Sequence, residues 1–394
     1  MLTFATSKST IAAGNPTFQK VGFLSPLAQI NYEIIMAIFF VLICIVGIIL
    51  LPYWIIPANP FPKPSGKWNV GTSNLIWDSY NQSGIIAKVW YPTDIENVTH
   101  SPYLDKLGKN FSSNIAVNLL LKLIFSNLFL GHVKIPVSID VTPSQCPAEF
   151  PAILLSSGLF GINSLNTFYG LEFASHGFIV IGINHPGSSI GTMLADGSQI
   201  SIDSDGLDKL ELLASKITVD RTSDLSMILD RVISLNANRD SFLYQRINTS
   251  KIFAAGHSIG GSASFAVCGQ DRRISKSVNF DGFFFMEEIN LDCLDKGFLL
   301  IQPERRKSRS NDKKSQDEFS ILMAKDSVRI TELADSPNFH HLLFPSVTHM
   351  SFLDLPLVIN PIFSKTISLF GKADGLDLLL KIARVTIDFF NKQT

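Results

Sequence analysis

The sequence predicts an α/β fold in which a mainly parallel sheet carries helices on both faces, preceded by one N-terminal transmembrane helix. Over most of the chain, short continuous apolar runs alternate with helical patterns. Such runs are typical of strands buried on both faces, and their alternation with helices indicates a parallel sheet. One longer apolar run lies near the N-terminus. The predicted strands are 85–91, 151–155, 178–183, 251–255, 277–280, 298–301 and 341–344, and the predicted helices are 165–176, 214–235 and 260–268.

Composition excludes several classes of protein. The chain has 33 Lys and Arg against 34 Asp and Glu, so it lacks the basic field with which proteins bind nucleic acid. With 46% hydrophobic and 17% charged residues it is too apolar to be mostly disordered, and part of its apolar surface is expected to face lipid. Its 4 cysteines show neither a disulfide scaffold nor metal-ligand spacing. We expect no metal and no cofactor.

The N-terminal apolar run, residues 34–51, contains neither a charged residue nor proline. At about 1.5 Å per residue, a helix of this length nearly crosses a hydrocarbon core of about 30 Å. Tyr32, Tyr53 and Trp54 flank the run, as aromatic residues do at membrane interfaces. The alternatives are a buried core helix and a cleaved signal peptide, but the run exceeds a signal-peptide core and bulky residues follow it. We therefore expect an uncleaved anchor and a single-pass membrane protein.

The anchor divides the chain into a tail (1–33), the anchor itself (34–55), a proline-rich linker (56–68) and one folded domain (69–394). Lysines are balanced on the two sides of the anchor, so its orientation stays open, with the lumenal or extracytoplasmic side favoured for the domain.

A charged segment within the domain, 305–318, lacks apolar residues. This composition predicts a solvated loop, and a patch for anionic lipid headgroups is the alternative.

The motif Gly-His-Ser-Ile-Gly-Gly at 256–261 follows a predicted strand and opens a predicted helix. This is the context of the nucleophile elbow of α/β-hydrolases, in which a serine lies on a strained strand-to-helix turn above the sheet. The flanking glycines let the backbone crowd at that turn. The motif predicts an α/β-hydrolase fold with Ser258 as the nucleophile.

A serine nucleophile needs a base, and in this fold class the chain order is serine, acid, histidine. His349 follows the strand 341–344, where a loop could lean over the sheet edge. His340 and His341 fall at or within that strand, which favours structural roles. His257 is beside the nucleophile, and we expect it to point elsewhere and be structural.

Two carboxylates compete for the role of the acid, which is expected at the carboxyl end of a strand. Asp281 ends the strand after the elbow and Glu304 ends the next strand, and Asp281 is favoured. Asp292 and Asp295 lie in a polar stretch and are expected at the surface. Both candidates stay open on residue patterns alone.

An oxyanion hole requires two backbone N–H groups. One is expected from Ile259, the residue after the nucleophile. The other is expected from the loop 156–161, Ser-Ser-Gly-Leu-Phe-Gly, which follows an earlier strand, and Leu159 is the candidate. A plain strand-to-loop turn is the alternative for this loop.

From about residue 64 onwards the chain resembles the plasma and intracellular type II platelet-activating-factor acetylhydrolases, the group VII phospholipases A2. The resemblance is carried by VGTSNLIWDSYNQSGIIAKVWYP, SSGLFGINSLNTFYGLEFASHGFIVIGINHPG, KIFAAGHSIGG, VNFDGFF and SVTHMSFLDL, in that order. It implies that Ser258, Asp281 and His349 form the catalytic triad, which raises Asp281 above Glu304. It also implies that Leu159 and Ile259 are the oxyanion donors.

Three departures from the family pattern stand out. The family usually has a histidine before the glycine of the loop 156–161, where this chain has Ser157. The segment 305–318 resembles an insertion relative to the family, between the acid and the base. The predicted anchor replaces a secretion signal or a lipidated N-terminus, so localisation does not follow from the resemblance.

The family hydrolyses the short or oxidised sn-2 acyl chain of glycerophospholipids without calcium. The resemblance therefore implies a phospholipid substrate and a 1-alkyl-2-acetylglycerophosphocholine esterase activity. A general carboxylesterase or lipase with the same triad is the runner-up, and a catalytically inactive membrane scaffold is a remote alternative.

The resemblance also implies a lipid-contacting helix at 114–130. A core-facing helix is the other interpretation of this segment. The candidate interface residues are Ile115, Leu119, Leu120, Leu123 and Phe125.

Overall fold

The structure is a computed structural model that describes residues 40, 47, 50, 54–56, 61–77, 85–104, 115–126, 129–190, 192–194, 196, 198–200, 210–285, 295–304, 313–366 and 368–392. The chain divides into two units, Met1–Leu51 and Pro52–Thr394. In the first unit, Phe40, Gly47 and Leu50 are described and are helical and exposed; the rest of the predicted anchor segment 34–51 lies outside the described residues. Among the helices that are described, none combines the length and apolarity that a membrane crossing requires.

The second unit is built on a 9-stranded sheet. The described strands are β1 (Asn69–Trp77), β2 (Ile85–Thr93), β3 (His100–Pro102), β4 (Lys134–Pro136), β5 (Ser138–Ile139), β6 (Phe150–Ser156), β7 (Ile179–Ile183), β8 (Thr192–Met193), β9 (Gln199–Ile200), β10 (Ile247–His257), β11 (Ile274–Phe280), β12 (Gly297–Pro303) and β13 (Phe339–Phe344). The sheet order is β13-β12-β11-β10-β6-β7-β2-β1-β5. From β7 to β13 all neighbouring strands are parallel, whereas β2 is antiparallel to both β7 and β1. The predicted mainly parallel sheet is confirmed.

Helices cover both faces of the sheet. The described α-helices are α1 (Ile115–Ile124), α2 (Thr167–Ser175), α3 (Leu210–Ala237), α4 (Ile259–Gln270), α5 (Lys313–Leu333), α6 (Leu355–Val358), α7 (Pro361–Thr366) and α8 (Gly375–Asn391). Successive residues of a strand point to opposite faces. On β6, Ile153 and Leu155 pack in the core with α2 and α8, while Ala152 and Leu154 pack in the core with α3 and α4. The apolar runs 151–155 and 178–183 are therefore strands with two buried faces, as predicted. The run 341–344 instead lies in the edge strand β13 and is partly exposed.

Helix α3 packs on the sheet through a stripe that recurs every three or four residues. Ala214, Thr218, Arg221, Leu225 and Leu229 on this stripe are all buried. A stripe with the helical period is what a core-facing helix requires. Arg221 is the one charged residue among them, and its buried guanidinium donates to loop carbonyls and to the Ser188 hydroxyl.

Part of the predicted linker 56–68 packs against the folded domain. Ile56 and Phe61 are buried in the core. The Ser65 N–H donates to Glu172 at 3.0 Å, and the Trp68 N–H donates to the carbonyl of Ser175 at 3.1 Å. The proline content indicated a linker, but the aromatic and aliphatic residues between the prolines gain more by burial.

Two further boundaries differ from the predictions. The segment 305–318 is not a loop throughout, because α5 starts at Lys313, and 305–312 lie outside the described residues. Lysine and glutamate are good helix formers, and Lys313, Lys314 and Glu318 lie in the first turns of this helix, whose buried residues include Leu322. The helix predicted at 114–130 is shorter, because α1 ends at Ile124, and the buried Leu130 begins a separate 3₁₀ turn.

Candidate active site

Ser258 lies on a sharp turn between the last residue of β10 and the first residue of α4. Its backbone has φ of 56° and ψ of −127°. A positive φ at a residue with a side chain costs about 1–3 kcal/mol, so the surrounding structure must hold it. The Ser258 N–H donates to the carbonyl of Phe280 on β11 at 2.8 Å. A side chain at Gly260 would overlap the carbonyl oxygens of Ser156 and Ser157, so this glycine allows the helix to start against the end of β6.

Asp281 and His349 meet beside this turn. Asp281 directly follows β11, with φ of 55°, and its N–H donates to the carbonyl of Ile301 on β12 at 2.8 Å. Its side chain is 2% exposed, and Oδ2 lies 2.7 Å from Nδ1 of His349, whose side chain is 45% exposed. A buried carboxylate at Nδ1 selects the tautomer in which Nε2 is free to accept a proton.

The competing residues of the sequence analysis lie elsewhere. Glu304 is exposed at the end of β12, and the carboxylate that binds His349 belongs to Asp281. His340 packs edge-on against the ring of Phe389, and His341 Nε2 lies 3.0 Å from the Gln302 side chain. Asp295 is exposed as predicted, and Asp292 lies outside the described residues.

His257 contacts the His349 loop, whereas the sequence-based expectation had it pointing elsewhere. Its Nε2–H donates to the backbone carbonyl of His349 at 3.0 Å, and the two imidazole rings are 4.4 Å apart between centroids. Burial, and then the proximity of His349, lower the pKa of His257 well below its usual value. The imidazole of His257 is therefore neutral, and its hydrogen bond restrains the backbone at His349. Its position before Ser258 was visible in the sequence, but its partner was not.

The two predicted oxyanion donors lie close together. Ile259 is the first residue of α4, so its N–H has no carbonyl one turn earlier in the helix. The hydrogen bonds of the loop 156–161 use the N–H groups of Phe160 and Gly161, and no described carbonyl accepts from the N–H of Leu159. The side chains of Leu159 and Ile259 pack in one apolar cluster. Their role as oxyanion donors stays a prediction.

The loop itself is closed by the residue that departs from the family pattern. The Ser157 hydroxyl donates to the carbonyl of Gly161 at 3.2 Å, and Ser157 is 1% exposed. Ser157 therefore closes the loop through a carbonyl acceptor, and this bond does not involve any of the loop's N–H groups.

A buried polar network lies behind this loop, and the sequence-based prediction does not include it. Ser156 Oγ lies 2.8 Å from His185 Nε2, and His185 Nδ1 lies 2.8 Å from Asp224 Oδ2. Burial, and then the charge of Arg221, lower the pKa of His185. Arg221 binds the loop directly. The one sequence signal was a charged residue at a core-facing position of the predicted helix 214–235.

The candidate lipid-contacting residues divide into two groups. Ile115, Leu119, Leu120 and Leu123 on α1 are exposed, with exposed fractions between 43% and 86%. Phe125, which follows the helix, instead packs against the core.

Known proteins resemble this chain over most of its length. A family described as platelet-activating factor acetylhydrolase, isoform II, matches residues 55–226 and 225–394. A platelet-activating factor acetylhydrolase of Cavia porcellus is 22% identical over 369 residues, covering 84% of this chain and 77% of the relative. One of Canis lupus familiaris is 24% identical over 365 residues, covering 86% and 76%.

A solved structure has the same fold. The ferulic acid esterase of Streptomyces cinnamoneus superposes with a TM-score of 0.59 at 20% identity, covering 85% of this chain and 92% of the esterase. The family match extends over nearly the whole second unit, and its range includes Ser258, Asp281 and His349. The chain belongs to the platelet-activating factor acetylhydrolase, isoform II, family.

Proposed function

We propose that the protein is a calcium-independent serine hydrolase of the phospholipase A2 type. It cleaves the short or oxidised sn-2 acyl ester of platelet-activating factor and related phospholipids. The observation that carries the proposal is the 2.7 Å hydrogen bond between Asp281 and His349 beside the strained turn of Ser258. Membership of an ester-hydrolysing family and the names of the relatives support the same reaction.

In the first half-reaction, His349 Nε2 takes the proton of Ser258 as Oγ attacks the ester carbonyl. Asp281 holds the imidazole in place and stabilises the imidazolium. The N–H groups of Leu159 and Ile259 donate to the oxyanion of the tetrahedral intermediate. His349 then returns the proton to the departing glycerol oxygen, which leaves an acyl group on Ser258 and releases the lysophospholipid.

In the second half-reaction, water attacks the acyl-enzyme. His349 accepts a proton from the water, and the resulting tetrahedral intermediate occupies the same two N–H groups. Collapse of this intermediate returns the proton to Ser258 and releases the carboxylic acid. Atoms and charge balance without a metal or a cofactor.

The enzyme is proposed to take its phospholipid substrate from a membrane to which the domain binds. The exposed aliphatic side chains of α1 would bury apolar surface in the headgroup region, which is favourable at about 25 cal/mol per Å². The apolar run 34–51 is proposed as an uncleaved anchor that keeps the domain at the membrane. Leu119→Glu should reduce sedimentation of the isolated domain with phosphatidylcholine vesicles without changing turnover of a water-soluble ester. Unchanged sedimentation would contradict contact through α1.

The substrate class is tested by comparing turnover of a 2-acetyl phosphatidylcholine analogue, a long-chain phosphatidylcholine and 4-nitrophenyl acetate. We expect the short-chain phospholipid to be preferred by kcat/KM over the other two. Equal or better turnover of the aryl ester would instead favour a general carboxylesterase. A folded wild-type chain that never reacts with a fluorophosphonate probe would favour the inactive scaffold, and Ser258→Ala is the control for labelling.

A further inference from the structure

The most unusual charge in the described part of the chain is the guanidinium of Arg221 on α3. Arg221 is 0% exposed. It donates to the carbonyl of Ser157, to the carbonyl of Gly158 at 3.1 Å, and to the carbonyl and hydroxyl of Ser188 at 3.2 and 2.9 Å. None of these bonds goes to a carboxylate. A buried cation is thus directed almost entirely at main-chain oxygens of two loops.

Burying a guanidinium that has no hydrogen bond to a carboxylate lowers the free energy of unfolding, so a role other than packing is expected for Arg221. Removing a guanidinium from water is unfavourable, and burial lowers the pKa of Arg221 to about 9, so it remains charged at neutral pH. Apolar residues occupy the equivalent positions one turn and two turns later on the same helix, Leu225 and Leu229. The packing of α3 alone would therefore be served by a leucine or methionine at this position.

The carbonyl of Gly158 is the informative partner. A trans peptide unit is planar, and its C=O and N–H point in opposite directions. The unit that contains the Gly158 carbonyl also contains the N–H of Leu159. Because Arg221 holds the carbonyl, the N–H of Leu159 is turned to the other side of the loop. A cation at the carbonyl also polarises the peptide, which makes its N–H a stronger donor.

The neighbouring residue of the loop is held through the same group. The N–H of Phe160 donates to the carbonyl of Ser188 at 3.0 Å, and Ser188 is bound by Arg221 through both its carbonyl and its hydroxyl. The peptide units on both sides of Leu159 are therefore restrained by one guanidinium. No second conformation of the Leu159 N–H is compatible with these bonds.

We propose that Arg221 is a positioning residue that fixes and polarises the Gly158–Leu159 peptide, so that its N–H is ready to receive the oxyanion. This inference rests on the proposed function. Arg221 touches neither the substrate nor the reacting atoms; it acts through the main chain of the loop. Its removal should impair the stabilisation of the tetrahedral intermediate more than the binding of the ground-state ester.

The test compares wild type, Arg221→Met and Arg221→Lys with 4-nitrophenyl acetate as substrate and a trifluoromethyl ketone as inhibitor. The ketone forms a hemiketal oxyanion on the serine, so its affinity reports on the oxyanion hole. Loss of one oxyanion donor lowers kcat by about 10²–10³-fold. We expect Arg221→Met to lower kcat by about 10²-fold, with a parallel loss of ketone affinity and KM within about threefold of wild type.

Arg221→Lys keeps a charge, but one ammonium does not reproduce the planar fork that reaches two loops. We expect a smaller fall in kcat, about tenfold, again with KM unchanged and ketone affinity lowered in parallel. This variant decides the question if Arg221→Met does not fold. The matched control is Arg273→Met, which removes a guanidinium bound to Asp271 and Asp230 beyond the far end of α4. Its kcat and ketone affinity should match wild type.

The inference is contradicted if the folded variants of Arg221 retain wild-type kcat and ketone affinity. It is also contradicted if kcat falls while the affinity for the ketone, relative to KM, stays at the wild-type value, since that would indicate a purely structural role. A wild-type chain that neither hydrolyses the ester nor reacts with a fluorophosphonate contradicts the proposed function, and the inference with it. An active wild type matched by both variants contradicts the inference alone.

Discussion

Two groups of serine, histidine and aspartate lie in the second unit, and they differ in exposure. The elbow group is Ser258, Asp281 and His349, and the buried group is Ser156, His185 and Asp224. In both, a histidine nitrogen lies within 2.8 Å of an aspartate oxygen. The histidine of the elbow group has a side chain that is 45% exposed, whereas that of the buried group is 0% exposed.

The serines differ in the same way. Ser156 is the last residue of β6, it is 0% exposed, and its hydroxyl is already bonded to His185 at 2.8 Å. Ser258 has a positive φ that lifts it off the strand, and it is only half-buried. Identical residue types therefore form an accessible group, which we propose is reactive, in one place and a fully buried group in the other. Backbone geometry and access to the substrate make the difference.

The largest effect separates the two serines. Ser258→Ala should lower kcat by about 10⁶-fold while the fold is retained, because the nucleophile is lost. Ser156→Ala should leave kcat within about tenfold of wild type and instead lower the free energy of unfolding by about 1–3 kcal/mol, because His185 loses its donor. Ester turnover and urea unfolding measure both. If Ser156→Ala abolished turnover in a folded chain, the buried group would have to be part of the chemistry.

The two aspartates give the next largest contrast. Asp281→Asn should lower kcat by about 10⁴-fold, since the amide favours the wrong tautomer of His349. Asp224→Asn should act mainly on stability, because the Asp224 carboxylate binds the buried His185 and its charge favours the nearby buried Arg221 cation. Glu304→Gln is the matched control for a carboxylate at a strand end, and it should cost little. A larger loss at Glu304 than at Asp281 would identify the wrong acid.

A smaller effect is expected at His257, which joins the elbow to the base. Loss of its hydrogen bond to the His349 carbonyl should let the base shift, and His257→Ala should lower kcat by roughly tenfold. His257→Gln, which retains a donor, should recover part of this loss. The pair of variants is compared by pre-steady-state acylation with 4-nitrophenyl acetate. Equal rates in wild type and His257→Ala would show that the base is held without His257.

The smallest effect concerns the far end of the His349 segment, where Asp354 is buried. Its carboxylate accepts from the Phe168 N–H at 3.1 Å and from the Tyr103 hydroxyl at 3.2 Å. Burial raises the pKa of Asp354 well above its usual value, although the two hydrogen bonds act against that shift. Above about pH 4 the unfolded chain loses this proton and the folded chain keeps it.

The unfolded state then binds fewer protons, so this residue destabilises the fold increasingly as pH rises from about 4 towards the raised pKa. Asp354→Asn keeps an acceptor oxygen and removes the titration. The free energy of unfolding of the variant relative to wild type should therefore increase with pH over that interval. Urea unfolding of both chains at several pH values measures it. A difference that stays constant with pH contradicts the assignment.

Most of the sheet could be predicted because a strand that is buried on both faces is a continuous apolar run in the sequence. Residues 151–155 and 252–255 are apolar at every position, and both segments lie in central parallel strands. The linker 56–68 and the segment 305–318 were less predictable. Proline content and charge predict only local backbone preference and solvent exposure. Phe61 is instead buried by packing against the domain, and Lys313 lies at the start of a helix that continues to Leu333.

The candidate site divides along the same line. Asp281 and His349 could be named because strand ends and chain order limit where an acid and a base can come from. Arg221 could not, because its partners are loop carbonyls 63 and 64 residues earlier in the chain. Every residue carries a carbonyl, so no sequence pattern distinguishes the ones that a guanidinium will bind.

The sequence by itself determined the alternation of strands and helices, the strained turn at Ser258 and the identity of the residues that can do acid, base and nucleophile chemistry. These follow from local preferences and from apolar periodicity, which act over a few neighbouring positions. The tertiary structure decided which carboxylate reaches His349, where His257 points, and that Arg221 binds the Gly158–Leu159 peptide. Those outcomes depend on main-chain groups and burial, which become specific only when distant segments meet.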